Sequence, residues 1–206
     1  MRPKMTTEKK TVPPQHTGQQ THTVYTVTLS SLEESRRRYM LARERLLDVN
    51  HWHDLAGPMS ASFTLTDDIG HVLDHKAEEG DHIRINLPAP GSKNGDGYDW
   101  VEIEKIEDKT TSSGKTAYVA MRVRPSGNPM KLSSKVAHFY DPVATSSFVV
   151  ELSGRCVKAS VYGRNEQPNT APESLWDKVR NTFIALTASL GLSKPQWKRL
   201  VKGLVQ

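Results

Sequence analysis

Residues 117–123 read AYVAMRV, with Ala117, Val119, Met121 and Val123 on one side of an extended chain and Tyr118, Ala120 and Arg122 on the other. Side chains of a strand alternate between two faces, so this period of two predicts a β-strand. The same alternation recurs on either side of it. Upstream, Ala61, Phe63 and Leu65 alternate with Ser62 and Thr64, Ile83, Ile85 and Leu87 with Arg84 and Asn86, and Val101 and Ile103 with Glu102 and Glu104. Downstream, Phe148, Val150 and Leu152 alternate with Val149 and Glu151, and Val157, Ala159 and Val161 with Lys158 and Ser160. Strands with one apolar and one largely polar face belong to an antiparallel sheet with a wet side, not to a parallel sheet buried on both. The connecting DDIG, EEGD, GSKNGDG, TTSSGK and SGR segments carry turn chemistry.

Outward from this block, Tyr25, Val27 and Leu29 alternate with Val24, Thr26 and Thr28 and predict a first strand from Thr23. Ser31 with Glu34 makes a capping box, and Leu32, Tyr39, Ala42, Leu46 and Val49 recur at helical spacing, which predicts a helix over about 32–49 ending at Asn50. Thr170 with Glu173, and Pro172 in the first turn, open a long helix with the stripe Trp176, Val179, Phe183, Leu186 and Leu190. Gly191 ends it. Ser193 and Gln196 cap a shorter helix bearing Trp197, Leu200, Val201, Leu204 and Val205 on one face.

Charge and composition bound the function. The chain has 206 residues, 36% hydrophobic and 25% charged, the balance of one folded domain. Residues 1–22 carry a net +3 and 193–206 a net +4, so of the chain's +5 the body from 23 to 192 carries −2. A basic groove for nucleic acid across the body is therefore not expected. Residues 1–22 hold few large apolar side chains and are read as a disordered basic tail, leaving 23–206 as a single domain. No apolar run is long enough for a transmembrane segment and no signal peptide is recognisable, and the single cysteine, Cys156, agrees with a reducing compartment, so a cytoplasmic location is expected.

The element order, with DVNHWHDLAG at 48–57 after the first helix, resembles the START-like (SRPBCC) superfamily of polyketide cyclases, lipid-transfer proteins and ring-hydroxylase subunits. In many members the first helix closes with an Asp and, a few residues on, a Trp, as Asp48 and Trp52 do here. The resemblance covers about 23–190 and implies an α+β helix-grip fold: a curved antiparallel sheet of about seven strands gripping a long C-terminal helix, with an apolar cavity between. Three features depart from the pattern: the GSKNGDG loop, the KLSSKVAHFYDPVAT stretch and the extra short helix after Gly191. An all-β sandwich or barrel with appended helices is the alternative fold.

The resemblance implies that Trp52, Phe63, Ile85, Val101, Val119, Met121 and Phe148, with Trp176, Val179 and Phe183, contact a small apolar ligand. The segment GRNEQPN at 163–169 adds Arg164, Asn165 and Glu166, either a hydrogen-bonded strand-to-helix turn or a polar mouth of the cavity. No cofactor and no metal are expected. His51 and His53 would need a third ligand from elsewhere, and SSGKT at 112–116 lacks both the earlier glycine of a phosphate-binding loop and a helix after it. Three functions stay open: non-catalytic binding of a small apolar ligand, a cyclase-like or hydrolytic enzyme using the same cavity through an inward titratable residue of shifted pKa, and an interaction protein. The last would make protein or membrane-surface contact through residues 193–206.

Overall fold

The computed structural model describes residues 11–58, 60–88, 92–111, 114–131, 135–170 and 194–206. Seven strands form one open antiparallel sheet: β1 (Gln19–Thr28), β2 (Ser62–Thr66), β3 (His82–Asn86), β4 (Asp99–Asp108), β5 (Thr116–Pro125), β6 (Thr145–Ser153) and β7 (Cys156–Glu166). Their spatial order is β1-β7-β6-β5-β4-β3-β2, so the first strand lies against the last and the rest pair with their sequence neighbours. This arrangement is consistent with the helix-grip fold.

Helix α1 (Leu32–Leu47) begins where its capping box predicts, with the Ser31 hydroxyl accepting from the Glu34 amide at 3.1 Å. The reciprocal arm falls one residue earlier: the Glu34 carboxylate accepts from the Ser30 amide and hydroxyl. The helix stops two residues short of the expected end. A 3-10 turn (Val49–His51) and a short helix α2 (Trp52–Ala56) follow, because Trp52 is fully buried and its indole N–H, which must be satisfied, donates to the Arg45 and Leu46 carbonyls at 3.2 and 3.1 Å.

One face of the sheet, the inner face, carries the alternating apolar side chains. Phe63, Ile83, Val101, Ile103, Val119, Met121, Phe148, Val150, Val157, Ala159 and Val161 form one core with α1 and α2. The final helix, α3 (Lys194–Val205), packs on β1 and β7 and against α1 and α2. Expected as an addition beyond the gripped helix, it is itself the helix held on the inner face among the described residues. Its Leu200, Val201, Leu204 and Val205 are buried, and Gly203 lies so close to Leu55 that an added Cβ would meet the Leu55 Cβ at 2.9 Å. The apolar side of this helix folds back onto the body, with Trp197 packed against the core, and Lys198, Arg199 and Lys202 remain outside. The longer helix expected over 172–190, with Trp176, Val179 and Phe183, lies outside the described residues.

Two expectations change on the outer face. The first strand begins at Gln19 rather than Thr23, and residues 11–18, read as part of a disordered tail, run against the sheet. The Thr11 carbonyl accepts from Ser147 at 3.0 Å, the Thr11 hydroxyl bonds Glu107, and Val12 packs on Tyr118, Ala120, Val149 and Tyr162. The outer face is therefore not wet throughout. Its centre carries a second, small apolar cluster, and the N-terminal segment covers it. The first ten residues of the same tail lie outside the described residues.

Candidate functional site

The inner face has an aromatic region and a polar end. The α2 position of Trp52 sets its ring 4.6 Å from Phe148 of β6 and 5.4 Å from Phe63 of β2, centroid to centroid. Trp197 of α3 completes the group, 5.6 Å from Phe148 and 6.4 Å from Phe63. Rings at these separations and tilts gain edge-to-face attraction beyond their area burial. Val101, Val119 and Met121 floor the same face, and Ile85, opposite Phe63 in the β2–β3 register, is half-buried at its margin. Seven of the ten apolar residues singled out in the sequence thus share one face, and the other three are the undescribed Trp176, Val179 and Phe183.

The polar end forms where β7 runs beyond its regular pairing. Thr21 is opposite Gly163, and Gln19 opposite Glu166, so β7 uses three residues where β1 uses two, a bulge. Asn165 takes the left-handed conformation there, φ 55°. The bulge turns the three polar residues of GRNEQPN in different directions. Arg164 faces out: its guanidinium sits 5.3 Å from the Tyr162 ring centre and donates to the Thr21 and Gly163 carbonyls, not to Glu166. Asn165 holds the N-terminal segment, its Oδ1 accepting from the amides of His16 and Thr17 at 2.7 and 3.1 Å. Glu166 alone turns inward.

Its carboxylate lies over Gly163, in the space a side chain at that position would fill, so a Cβ on Gly163 would overlap both it and the Thr21 hydroxyl. Gly163 follows Val157, Ala159 and Val161 at strand spacing, which puts this space on the inner face. Thr21 donates to Glu166 Oε1 at 3.1 Å. Oε2 is buried and has no hydrogen-bond partner. Burial pushes the Glu166 pKa up to about 7, against the opposing pulls of the Thr21 hydrogen bond and the Arg164 charge. The phenol of Tyr140, also buried, is pushed upward by burial and by the Glu166 charge.

Register carries this row back into the apolar face: Ser146 is opposite Gly163, Val123 opposite Ser146 and Ile103 opposite Val123, while Asp99 of β4, buried, lies two residues beyond Val101 on the same face, opposite Ile85 of β3. Thr21, Tyr140, Ser146 and Asp99 were all missed in the sequence. Thr21 was hidden in the presumed tail and Tyr140 in a stretch without period. A glycine in an otherwise apolar alternation, Gly163, was the one legible signal that something else fills its place. The histidines do not converge: His51 pairs with Asp48, His71 with Asp67, and His53 meets Ser60.

Comparison with known proteins places the chain among distant likenesses only. No family model matches it, and no curated protein does. Among solved structures it is similar to a hypothetical protein of Helicobacter pylori, at 12% identity and a TM-score of 0.47, over 92% of this chain and 87% of that one. It is also similar to a STAR-related lipid transfer protein fragment of Xanthomonas axonopodis, at 15% and 0.43, over 90% and 86%. An aromatase/cyclase of a Streptomyces species follows at 11% and 0.40, over 90% and 94%. At such identities and scores no activity and no residue role passes from them to this chain.

Proposed function

We propose that this protein binds a small, largely apolar ligand on the inner face of its sheet. One observation carries the reading: a face that is apolar from β2 to β7 ends in a carboxylate oxygen, Glu166 Oε2, that is buried without a hydrogen-bond partner. Native proteins satisfy the large majority of such groups, because an unmade buried hydrogen bond costs about 1–3 kcal/mol. An apolar lining with a few fixed polar groups is the usual make-up of a small-molecule site. Trp52, Phe63 and Phe148 supply contact area, Ile85, Val101, Val119 and Met121 the floor, and Glu166 the orientation. Trp176, Val179 and Phe183 complete the lining in this proposal, and a cytoplasmic location, resting on the lone Cys156, belongs to it.

The test is native mass spectrometry of the purified protein, with solvent extraction of whatever accompanies it. A stoichiometric small molecule supports the reading. A protein that carries nothing and takes up no neutral hydrophobic fluorophore refutes it.

A second reading, an acid–base enzyme working in the same place, is favoured by the Glu166 pKa, raised to about 7, where a carboxyl group can both take and give a proton near neutral pH. It predicts a Glu166→Gln variant that still retains the extracted ligand but no longer converts it, read by comparing the ligand before and after incubation.

A further inference from the structure

Among the described residues the inward ionisable group of β7 is the acid Glu166, with the Thr21 hydroxyl of β1 bonded to it and Ser146 of β6 opposite Gly163. The basic residues of these strands lie on the other side: Arg122 and Arg124 pair with Glu104, Lys158 with Glu151, and Arg164 with backbone carbonyls around Tyr162. An apolar face that ends in the carboxylate of Glu166 and offers no inward cation from its described strands disfavours a fatty acid or any other anion once that group is ionised. It also leaves Glu166 Oε2, a buried inner-face oxygen without a hydrogen-bond partner, in want of a donor.

We infer that the ligand is an apolar molecule bearing a protonated amine, whose ammonium group donates to Glu166 Oε2 while its body lies along the inner face. The inference rests on the ligand-binding reading above and specifies its substrate class. Thr21 already occupies Oε1 at 3.1 Å, which leaves Oε2 as the oxygen open to a further donor. The absence of a side chain on Gly163 gives that carboxylate its place. A neutral donor such as an alcohol would satisfy the oxygen too. Only an ammonium also neutralises its charge, and charge-assisted hydrogen bonds are roughly twice as strong as neutral ones. The groups facing Glu166 are Thr21 from β1, Tyr140 from the segment before β6, and Arg164 from its own strand, whose cation is held on the opposite face.

The test uses three ligands with one body, octylamine, 1-octanol and octanoate, each displacing a neutral naphthyl fluorophore from the full-length protein. At pH 8 octylamine is expected to displace the probe at about tenfold lower concentration than octanol, with octanoate weakest. The advantage of the amine has a sign in pH. The amine stays protonated throughout, and Glu166 ionises as pH rises through its own pKa, so the amine-to-alcohol ratio grows between pH 6 and pH 8. In Glu166→Gln the ratio falls to near one and loses its pH dependence, while an unchanged far-ultraviolet circular dichroism spectrum certifies that the variant is folded. Equal displacement by amine and alcohol, a ratio flat in pH for the unmodified protein, or a preference that survives Glu166→Gln overturns the inference and leaves apolar binding standing. A protein that binds neither fluorophore nor any octyl compound overturns both.

Discussion

The side-chain oxygen of Asn165 accepts a hydrogen bond from the backbone amide of His16 at 2.7 Å, joining positions 149 residues apart. The contact is reciprocal in kind. The Asn165 amide donates to Gln15 Oε1 at 2.9 Å, and the Asn165 side chain also takes the Thr17 amide. One residue at the end of β7 thereby fastens the segment 11–18 next to the inward turn of Glu166.

Asn165 combines these bonds with a left-handed backbone, so two substitutions separate the two contributions. Asn165→Gly keeps the conformation and loses the side-chain bonds, for an expected cost of about 1–2 kcal/mol. Asn165→Ala loses the bonds and adds the strain of a Cβ at positive φ, about 1 kcal/mol more. Urea denaturation of both variants checks the order, and an alanine variant as stable as the glycine one would remove the argument for strain.

Glu166 gives a pH dependence of known sign. Its pKa is about 7 in the folded chain against an ordinary 4.5, so between those values the folded state holds a proton that the unfolded state has lost. Stability therefore falls as pH rises through this window, by at most about 3 kcal/mol, and the loss is complete above the folded pKa. The difference in unfolding free energy between Glu166→Gln and the unmodified protein should move in the variant's favour from pH 4.5 to pH 8. A difference independent of pH would mean that the carboxyl group ionises as it does in water.

Replacing Gly163 by alanine tests whether the carboxylate occupies the place described. The new methyl overlaps the Glu166 carboxylate and the Thr21 hydroxyl, and the flexible acid is the partner that moves. The expected cost is about 1–2 kcal/mol at pH 5. The pH slope assigned to Glu166 should shrink as the acid moves toward water. If Gly163→Ala keeps the full slope, the acid is buried elsewhere.

Phe148 lies in contact with both Trp52 and Trp197, at 4.6 and 5.6 Å. Phe148→Ala should destabilise the fold by about 3–5 kcal/mol, as core aromatic truncations do. It should also release α3, whose Trp197 then meets solvent and shifts its fluorescence to longer wavelength. Phe148→Leu, closer in volume, should recover most of the stability without the ring contacts.

The sheet was legible because period-two alternation survives every local choice of residue. Phe63, Ile85, Val101, Val119, Met121 and Phe148 were found by that pattern, and the structure puts all six on the inner face. Trp52 was found by its place after the first helix. What composition obscured was residues 11–22, whose Thr, Gln and Pro content looks unable to order by itself. Its order comes from partners far along the chain, Ser147, Glu107 and Asn165, which no local window contains. The same blindness hid the split of Arg164 from Glu166. A bulge reverses the facing of every residue beyond it, and the bulge is set by the register between β1 and β7 rather than by β7 alone.

That register has a temporal side. Strands β2 to β7 pair each with its successor, through connections short enough to close as the chain leaves the ribosome, whereas Thr28 must wait for Cys156, 128 residues later. Loop-closure entropy and the direction of synthesis both put the β1–β7 pairing last. Until β7 emerges, Tyr25, Val27 and Leu29 have no strand to pair with, and the polar segment ahead of them travels with that unpaired edge through most of translation. The anchoring of Gln15, His16 and Thr17 then follows the last pairing of the sheet, and Glu166 acquires its buried place only when β1 and β7 have met.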